Sequence, residues 1–314
     1  MTEPQQEPDS GWPPPVFLPP PPPRAHDGVL TYDAVTYART SGYRPRLLDV
    51  HVPAGTAPAP AVVWIHGGGW MDGDRRYPPP TVPVDLLFGS LLDAGLAVVT
   101  LDYRHSLEAP FPAQLHDVKA AIRYVRYFAG QLGIDGERVG VFGESAGGHL
   151  AAMAALTDPG VDGGPFEFEG TDGVAQGSTS VRCAVDWYGV SDIGTAASAF
   201  SALAGGTPLE GTLDPYTALL GVSPADEPEL AAAASPVGYV PSVVPPFLLI
   251  HGTGDNLVPY SQSERLAAHL STHGGSVELV PVDGADHIFL GSKEIASIVS
   301  RSVEFLARHL AATH

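Results

Sequence analysis

The chain has 314 residues, of which 35 are acidic and 16 basic, for a formal net charge of −19. That balance argues against nucleic acid, which needs a basic footprint, and against an anionic membrane surface. A hydrophobic content of 44% is ample for a core, yet no apolar stretch reaches the roughly 18 residues of a membrane helix.

Cys183 is the single cysteine, so no internal disulfide can form. It sits in an apolar run and reads as a small buried hydrophobe. The N-terminus lacks a basic region followed by an apolar one, and a cytoplasmic location is expected. Residues 1–25 are Pro-rich, with an unbroken run from Pro19 to Pro23. Proline disfavours helix and sheet there. The segment reads as a disordered tail, or as an arm laid over the body with Trp12 and Phe17 as anchors. Residues 26–314 read as one domain.

Val29–Tyr32 and Leu47–Val52 resemble antiparallel edge strands. The next strand, 61–65, runs into His66-Gly67-Gly68-Gly69-Trp70. Three adjacent glycines are poor sheet formers but leave backbone N–H groups unobstructed, as an oxyanion hole requires. A strand at 96–101 precedes Tyr103. Ala113 to Gly130 repeats apolar residues at helical spacing, with Arg123 and Arg126 expected on a solvated face.

The strand at 139–142 leads into Gly143-Glu144-Ser145-Ala146-Gly147, and an Ala-rich helical run follows. Strand, glycine turn, helix is the context of a nucleophile elbow, which projects Ser145 above the sheet edge. The Ala146 N–H, just after the serine, is a further oxyanion donor. The acids between 157 and 180 (Asp158, Asp162, Glu167, Glu169, Asp172) do not have the spacing of a calcium loop and read as solvated. No metal and no cofactor are expected.

After a strand at 182–186, residues 190–235 break the alternation and read as a small cap-like insertion. Its Phe200, Leu203, Leu209, Leu213, Tyr216, Leu219 and Leu220 are candidates for a pocket wall or for ordinary packing. Trp70, Tyr103 and Trp187 are aromatic pocket candidates near strand ends. The strand at 246–250 leads to His251 and Asp255, and that at 276–281 to Asp283, Asp286 and His287. Helices are expected at 261–273 and 292–311. Strands alternating with helices give an α/β fold with a mostly parallel central sheet.

Ser145, Asp255 and His287 therefore follow in the chain order of an α/β-hydrolase, each just past a strand's carboxyl end. Imidazole can take the serine proton near neutral pH, and a carboxylate can fix its tautomer. His66, His105, His116, His149, His251 and His273 are rivals for the base. His66 and His251 end strands and are expected to orient loops. Asp283 and Asp286 lie too close to His287 to orient its ring from the far side.

The glycine loop, the serine turn, the Asp255 turn and the His287 loop together resemble the hormone-sensitive-lipase-like esterases. The nearer likeness is to bacterial feruloyl- and acetyl-esterase-like α/β-hydrolases, through Leu101-Asp102-Tyr103-Arg104, Phe111 to Lys119, and Val185-Asp186-Trp187-Tyr188-Gly189. The resemblance covers about residues 30–312. It implies an α/β-hydrolase fold with helices on both faces. It implies Ser145 as nucleophile, Asp255 as acid, His287 as base, and Gly68, Gly69 and Ala146 as oxyanion donors. His66 would brace the glycine loop, and Gly67 and Glu144 are further supporting residues, although Glu144 departs from the Asp or Gly that related bacterial enzymes often carry at that position. The expected activity is serine carboxylic-ester hydrolysis of short-chain acyl or aryl esters. An aryl formamide or other activated amide is the alternative substrate, and a non-catalytic binding protein a more distant one. The partner is a small-molecule ester, and the protein a monomer or homodimer.

Overall fold

The structure is a computed structural model and describes residues 14–55, 58–157, 164–203, 213–241 and 243–312. Trp12, Asp158, Asp162 and Leu209 lie outside them. The strands are β1 (Arg24–His26), β2 (Val29–Ala38), β3 (Arg46–Pro53), β4 (Ala59–Ile65), β5 (Ala97–Leu101), β6 (Ile134–Glu144), β7 (Ala184–Trp187), β8 (Phe247–Gly252) and β9 (Val277–Val282). They form one sheet in the order β1-β2-β3-β5-β4-β6-β7-β8-β9. The first three strands run antiparallel to their neighbours, and every pairing from β5 onward through β4 to β9 is parallel.

The helices are α1 (Ser90–Asp93), α2 (Ala113–Tyr127), α3 (Ala129–Leu132), α4 (Ala146–Leu156), α5 (Ile193–Leu203), α6 (Pro215–Leu220), α7 (Pro228–Ala233), α8 (Ser261–Thr272) and α9 (Ile295–Leu310). They cover both faces of the sheet. Strand side chains alternate between two apolar layers, as a period of two demands. Ala61, Val63 and Ile65 of β4 meet the layer containing α2, α4 and α8. Val62 and Trp64 meet the layer containing α1 and α9. Burial on both faces explains why the central strands read as continuous apolar runs. This is an α/β-hydrolase fold. Among the described residues, no helix is long and apolar enough to cross a membrane.

Two expectations are corrected. Arg123 is 2% exposed, not solvated, and its guanidinium donates to the carbonyls of Val174, Glu169 and Asp172. Arg126 is half-buried and donates to Ser180 O. These cations tie α2 to the loop after α4. Two acids of that loop are engaged as well: Glu169 pairs with Lys119, and Asp172 with Arg46 and Arg104, while Glu167 is exposed as expected. The partners are some 50 to 130 residues apart in sequence, so no local pattern betrays them.

Part of the Pro-rich segment lies along β2. Arg39 N–H donates to Val16 O (2.7 Å) and Leu18 N–H to Thr36 O (2.9 Å). Tyr124 Oη–H donates to Leu18 O (2.7 Å). The Phe17 ring packs edge-on against Tyr124, Tyr127 and Phe128, with centroids 6.0–6.4 Å away. A half-buried aromatic with three ring partners predicts that Phe17→Ala lowers stability by about 1–2 kcal/mol. Urea unfolding of the full chain measures it, and an unchanged midpoint contradicts it.

Candidate active site

Ser145 joins β6 to α4 with φ 53° and ψ −119°, a conformation that L-residues avoid. Its N–H donates to Trp187 O (2.8 Å), and its carbonyl accepts from His149 N–H (3.0 Å). The flanking glycines are required by space. A Cβ on Gly143 would lie 2.1 Å from Gly147 O, and one on Gly147 would lie 2.0 Å from Ile65 O. Behind the turn, a Cβ on Gly148 would lie 2.2 Å from Asp186 Oδ1. Asp186 is itself buried, which pushes its carboxyl up to about 7.

Ser145 Oγ lies 3.0 Å from His287 Nε2, and His287 Nδ1 lies 2.7 Å from Asp255 Oδ2. A carboxylate only accepts, so Nδ1 carries the proton and Nε2 faces the hydroxyl as acceptor. Asp255 is held on every side. Its Oδ1 accepts from Leu257 N–H (2.9 Å) and Val258 N–H (2.8 Å), and His251 Nε2 lies 3.3 Å from Oδ2. Burial alone would raise the Asp255 carboxyl. The hydrogen bonds from His251 and His287 outweigh that and hold it at about 2. The rival acid Asp286 accepts from the backbone N–H of His287 (2.7 Å) and of Asn256 (2.9 Å), which ties the histidine loop to the Asp255 loop.

The glycine loop sits beside Ser145. Gly68 and Gly69 have φ of 99° and 60°, and Gly68 O accepts from both Met71 and Asp72 N–H. Among the described residues, no acceptor takes the N–H of Gly68, Gly69 or Ala146. Ala146 opens α4, where first-turn donors have no partner inside the helix. Gly67 differs: its N–H donates to Glu144 Oε1 (2.7 Å), so it serves the frame. Burial pushes the Glu144 carboxyl up, against the opposing pull of His287 and of Gly67 N–H. His66 Nδ1–H donates to Gly67 O (2.8 Å), and the ring stacks on Tyr103 at 4.4 Å.

Ser145, His287, Gly68, Gly69 and Ala146 line one cavity of about 350 Å³. Of the three aromatic candidates only Trp70 reaches it. Its Nε1–H donates to His149 Nδ1 (3.2 Å), and His149 Nε2–H to Ala234 O (2.8 Å). Tyr103 and Trp187 are corrected. Tyr103 is fully buried behind the glycine loop, with its hydroxyl donating to His66 O (3.0 Å). Trp187 is fully buried between Trp64, Phe142 and Phe289, with Nε1–H on Ser302 Oγ (3.0 Å). From the insertion, Phe200 and Tyr216 line the cavity, while Leu203 and Leu213 are exposed and Leu219 is core. Pro79, Pro80, Val190, Pro215, Leu257, Val258 and Ile288 were not anticipated as wall residues. Adjacency to Asp255 and His287 was the available signal for the last three. Among the described residues, no cluster of three or more His, Cys, Asp or Glu could hold a metal ion.

Burial lowers both His66 and His149 to about 4, against an ordinary value of 6.5. Between pH 6.5 and 4 the unfolded chain binds protons that these two folded imidazoles refuse. Stability is therefore full above pH 6.5 and falls as pH drops through that window. The loss is on the order of 2 kcal/mol per histidine at pH 5. Urea unfolding at pH 7 and pH 5 measures it, and His149→Gln should shrink the difference. A flat profile contradicts the assignment.

The sequence profile of the BD-FAE family matches residues 48–270. Esterase LipQ of Mycobacterium tuberculosis is 32% identical over 272 residues, which cover 82% of this chain and 59% of LipQ. The chain spans about three fifths of the length of the curated relatives it matches. Among solved structures, a truncated carbohydrate esterase from gut microbiota is similar at a TM-score of 0.76 and 30% identity, covering 92% of this chain and 99% of that one. An acetyl ester-xyloside bifunctional hydrolase from Caldicellulosiruptor lactoaceticus is similar at a TM-score of 0.65 and 29% identity, covering 85% and 90%. The likeness to hormone-sensitive-lipase-like esterases seen in the motifs is thus borne out, and the chain belongs to the BD-FAE family.

Proposed function

We propose that the protein is a serine carboxylic-ester hydrolase acting on short-chain acyl or aryl esters. The observation that carries the reading is the unbroken line Ser145–His287–Asp255, with steps of 3.0 and 2.7 Å, whose Ser145 and His287 line an apolar cavity. The family and the esterase relatives support it.

In this mechanism Ser145 Oγ attacks the ester carbonyl while His287 Nε2 takes its proton. Asp255 stays ionised and stabilises the imidazolium that forms. The N–H groups of Gly68, Gly69 and Ala146 hold the oxyanion, which needs donors placed beforehand. His287 then passes its proton to the leaving alcohol, giving an acyl-enzyme. Water, deprotonated by the same histidine, releases the acid and restores Ser145.

Trp70, Val190, Phe200, Tyr216, Leu257 and Ile288 give the cavity an apolar wall. Such a wall suits an uncharged acyl group and disfavours an acyl chain carrying a carboxylate, which would be desolvated without a partner. Hydrolysis of p-nitrophenyl esters from acetate to dodecanoate tests the proposal. Turnover should peak at two to four carbons. Ser145→Ala should lose at least about 10⁴-fold in kcat. Full turnover in that variant contradicts the mechanism, and a maximum at dodecanoate contradicts the acyl range.

A further inference from the structure

The apolar cavity beside Ser145 has an inner wall held by hydrogen bonds that the triad does not use. Trp70 and Tyr216 line it at 2% and 3% exposure, whereas Leu257, at 41%, marks the rim. An indole this buried needs an acceptor for its N–H. Trp70 Nε1–H finds one on His149 Nδ1 (3.2 Å). The His149 ring is fully buried, and its Nε2–H is taken by the carbonyl of Ala234, the cap residue of α7 (2.8 Å). That second bond selects the tautomer whose Nδ1 lone pair is free to accept. Burial lowers the imidazole to about 4, so the lone pair persists at neutral pH.

Trp70 needs a holder for a backbone reason as well. Its φ is 59°, in the left-handed region that a bulky residue avoids. Ser106 N–H donates to Trp70 O (2.7 Å) and fixes the main chain. The rings of His149 and Tyr216 pack against the indole with centroids 5.3 and 5.7 Å away. His149 itself lies one helical turn past Ser145, whose carbonyl accepts its N–H (3.0 Å). One imidazole thus joins three parts of the site. They are the residue after Gly69 in the glycine loop, the helix that follows the serine, and the insertion whose Phe200 and Tyr216 line the cavity.

We propose that His149 is a positioning residue for acyl-chain length: by accepting the indole proton it keeps Trp70 as a fixed inner wall and excludes longer chains. The proposal rests on the esterase reading above and adds what sets the acyl range there. Without that acceptor the buried N–H loses its partner, and the indole turns away from the cavity towards another, which deepens the space.

The test compares kcat/KM for p-nitrophenyl octanoate with that for the butyrate, in variants that cut one bond of the chain at a time. His149→Gln sets its amide where the far ring nitrogen was, keeping Ala234 as partner while withdrawing the acceptor from Trp70. His149→Asn does the reverse, with its oxygen near the Nδ1 position. The octanoate-to-butyrate ratio should rise by about 10-fold in His149→Gln, mainly through a lower octanoate KM, and stay within about twofold of wild type in His149→Asn. Trp70→Phe removes the donor and should raise the ratio by itself. Adding His149→Gln to it should change the ratio by less than about twofold, because the bond is already gone. A histidine that only supports the core would lower stability in both His149 variants and leave the ratio alone. An unchanged ratio in His149→Gln, equal rises in the Gln and Asn variants, or a multiplied effect in the double variant overturns the proposal. If the His149 variants fail to fold, an unchanged ratio in Trp70→Phe overturns it and a raised one supports it. Absence of ester turnover in the wild-type protein sinks the esterase reading itself, and this inference with it.

Discussion

The reversal at Ser145 is the constraint to which the rest of the site is fitted. A non-glycine residue at φ 53° is strained by roughly 1–3 kcal/mol, so the turn persists only where its surroundings over-determine it. Here they do. All of α4, from Ala146 to Leu156, is buried, which fixes the helix after the serine. The Gly147 backbone presses on Ile65 O at the end of β4, and the glycine loop starts one residue later. Glu144 then reaches from the serine turn to Gly67 N–H. The strained turn and the glycine loop are thus one mechanical unit, and their relative position does not depend on flexible loops.

The proposed acid and base are joined in a similar way. Asp255 and His287 follow β8 and β9, adjacent parallel strands. Gly254 N–H donates to Ala285 O (3.0 Å), and a Cβ on Gly252 would lie 2.2 Å from that same oxygen. Asp286 adds the bond to Asn256 N–H. In a chain of net charge −19, the carboxylate at this point keeps its charge because His251, His287 and two backbone N–H groups all donate to or face it. The substrate cavity stays apolar beside it. In the proposed mechanism the Asp255 charge lies on the line of proton transfer, behind His287 rather than in the apolar wall.

Much of this architecture is legible in the residues. The strands that carry the site are doubly buried, so β4, β6 and β8 appear as apolar runs, and each ends in glycines that its turn demands. Chain order and strand-end position point to Ser145, Asp255 and His287, and the fold brings these three side chains together. What stayed hidden depends on side-chain direction or on distant partners. Trp187 sits at a strand end, as pocket residues do, yet pleating turns it towards α9 and Ser302. Tyr103 is buried beneath the glycine loop, where its hydroxyl donates to His66 O. Arg123 shows a polar residue on an amphipathic helix, and only the fold brings the Glu169 and Asp172 carbonyls over it. Strand β1 has just three exposed residues, Arg24 to His26, and is defined by pairing with β2 rather than by hydropathy.

The central claim is that Ser145 is acylated, with His287 and Asp255 behind it. The most direct measurement is mass spectrometry of the intact protein after reaction with a fluorophosphonate, followed by peptide mapping. The account predicts a single adduct on Ser145, lost in Ser145→Ala and formed far more slowly in His287→Ala. Ester turnover without any adduct, or an adduct mapped to another residue, would contradict it.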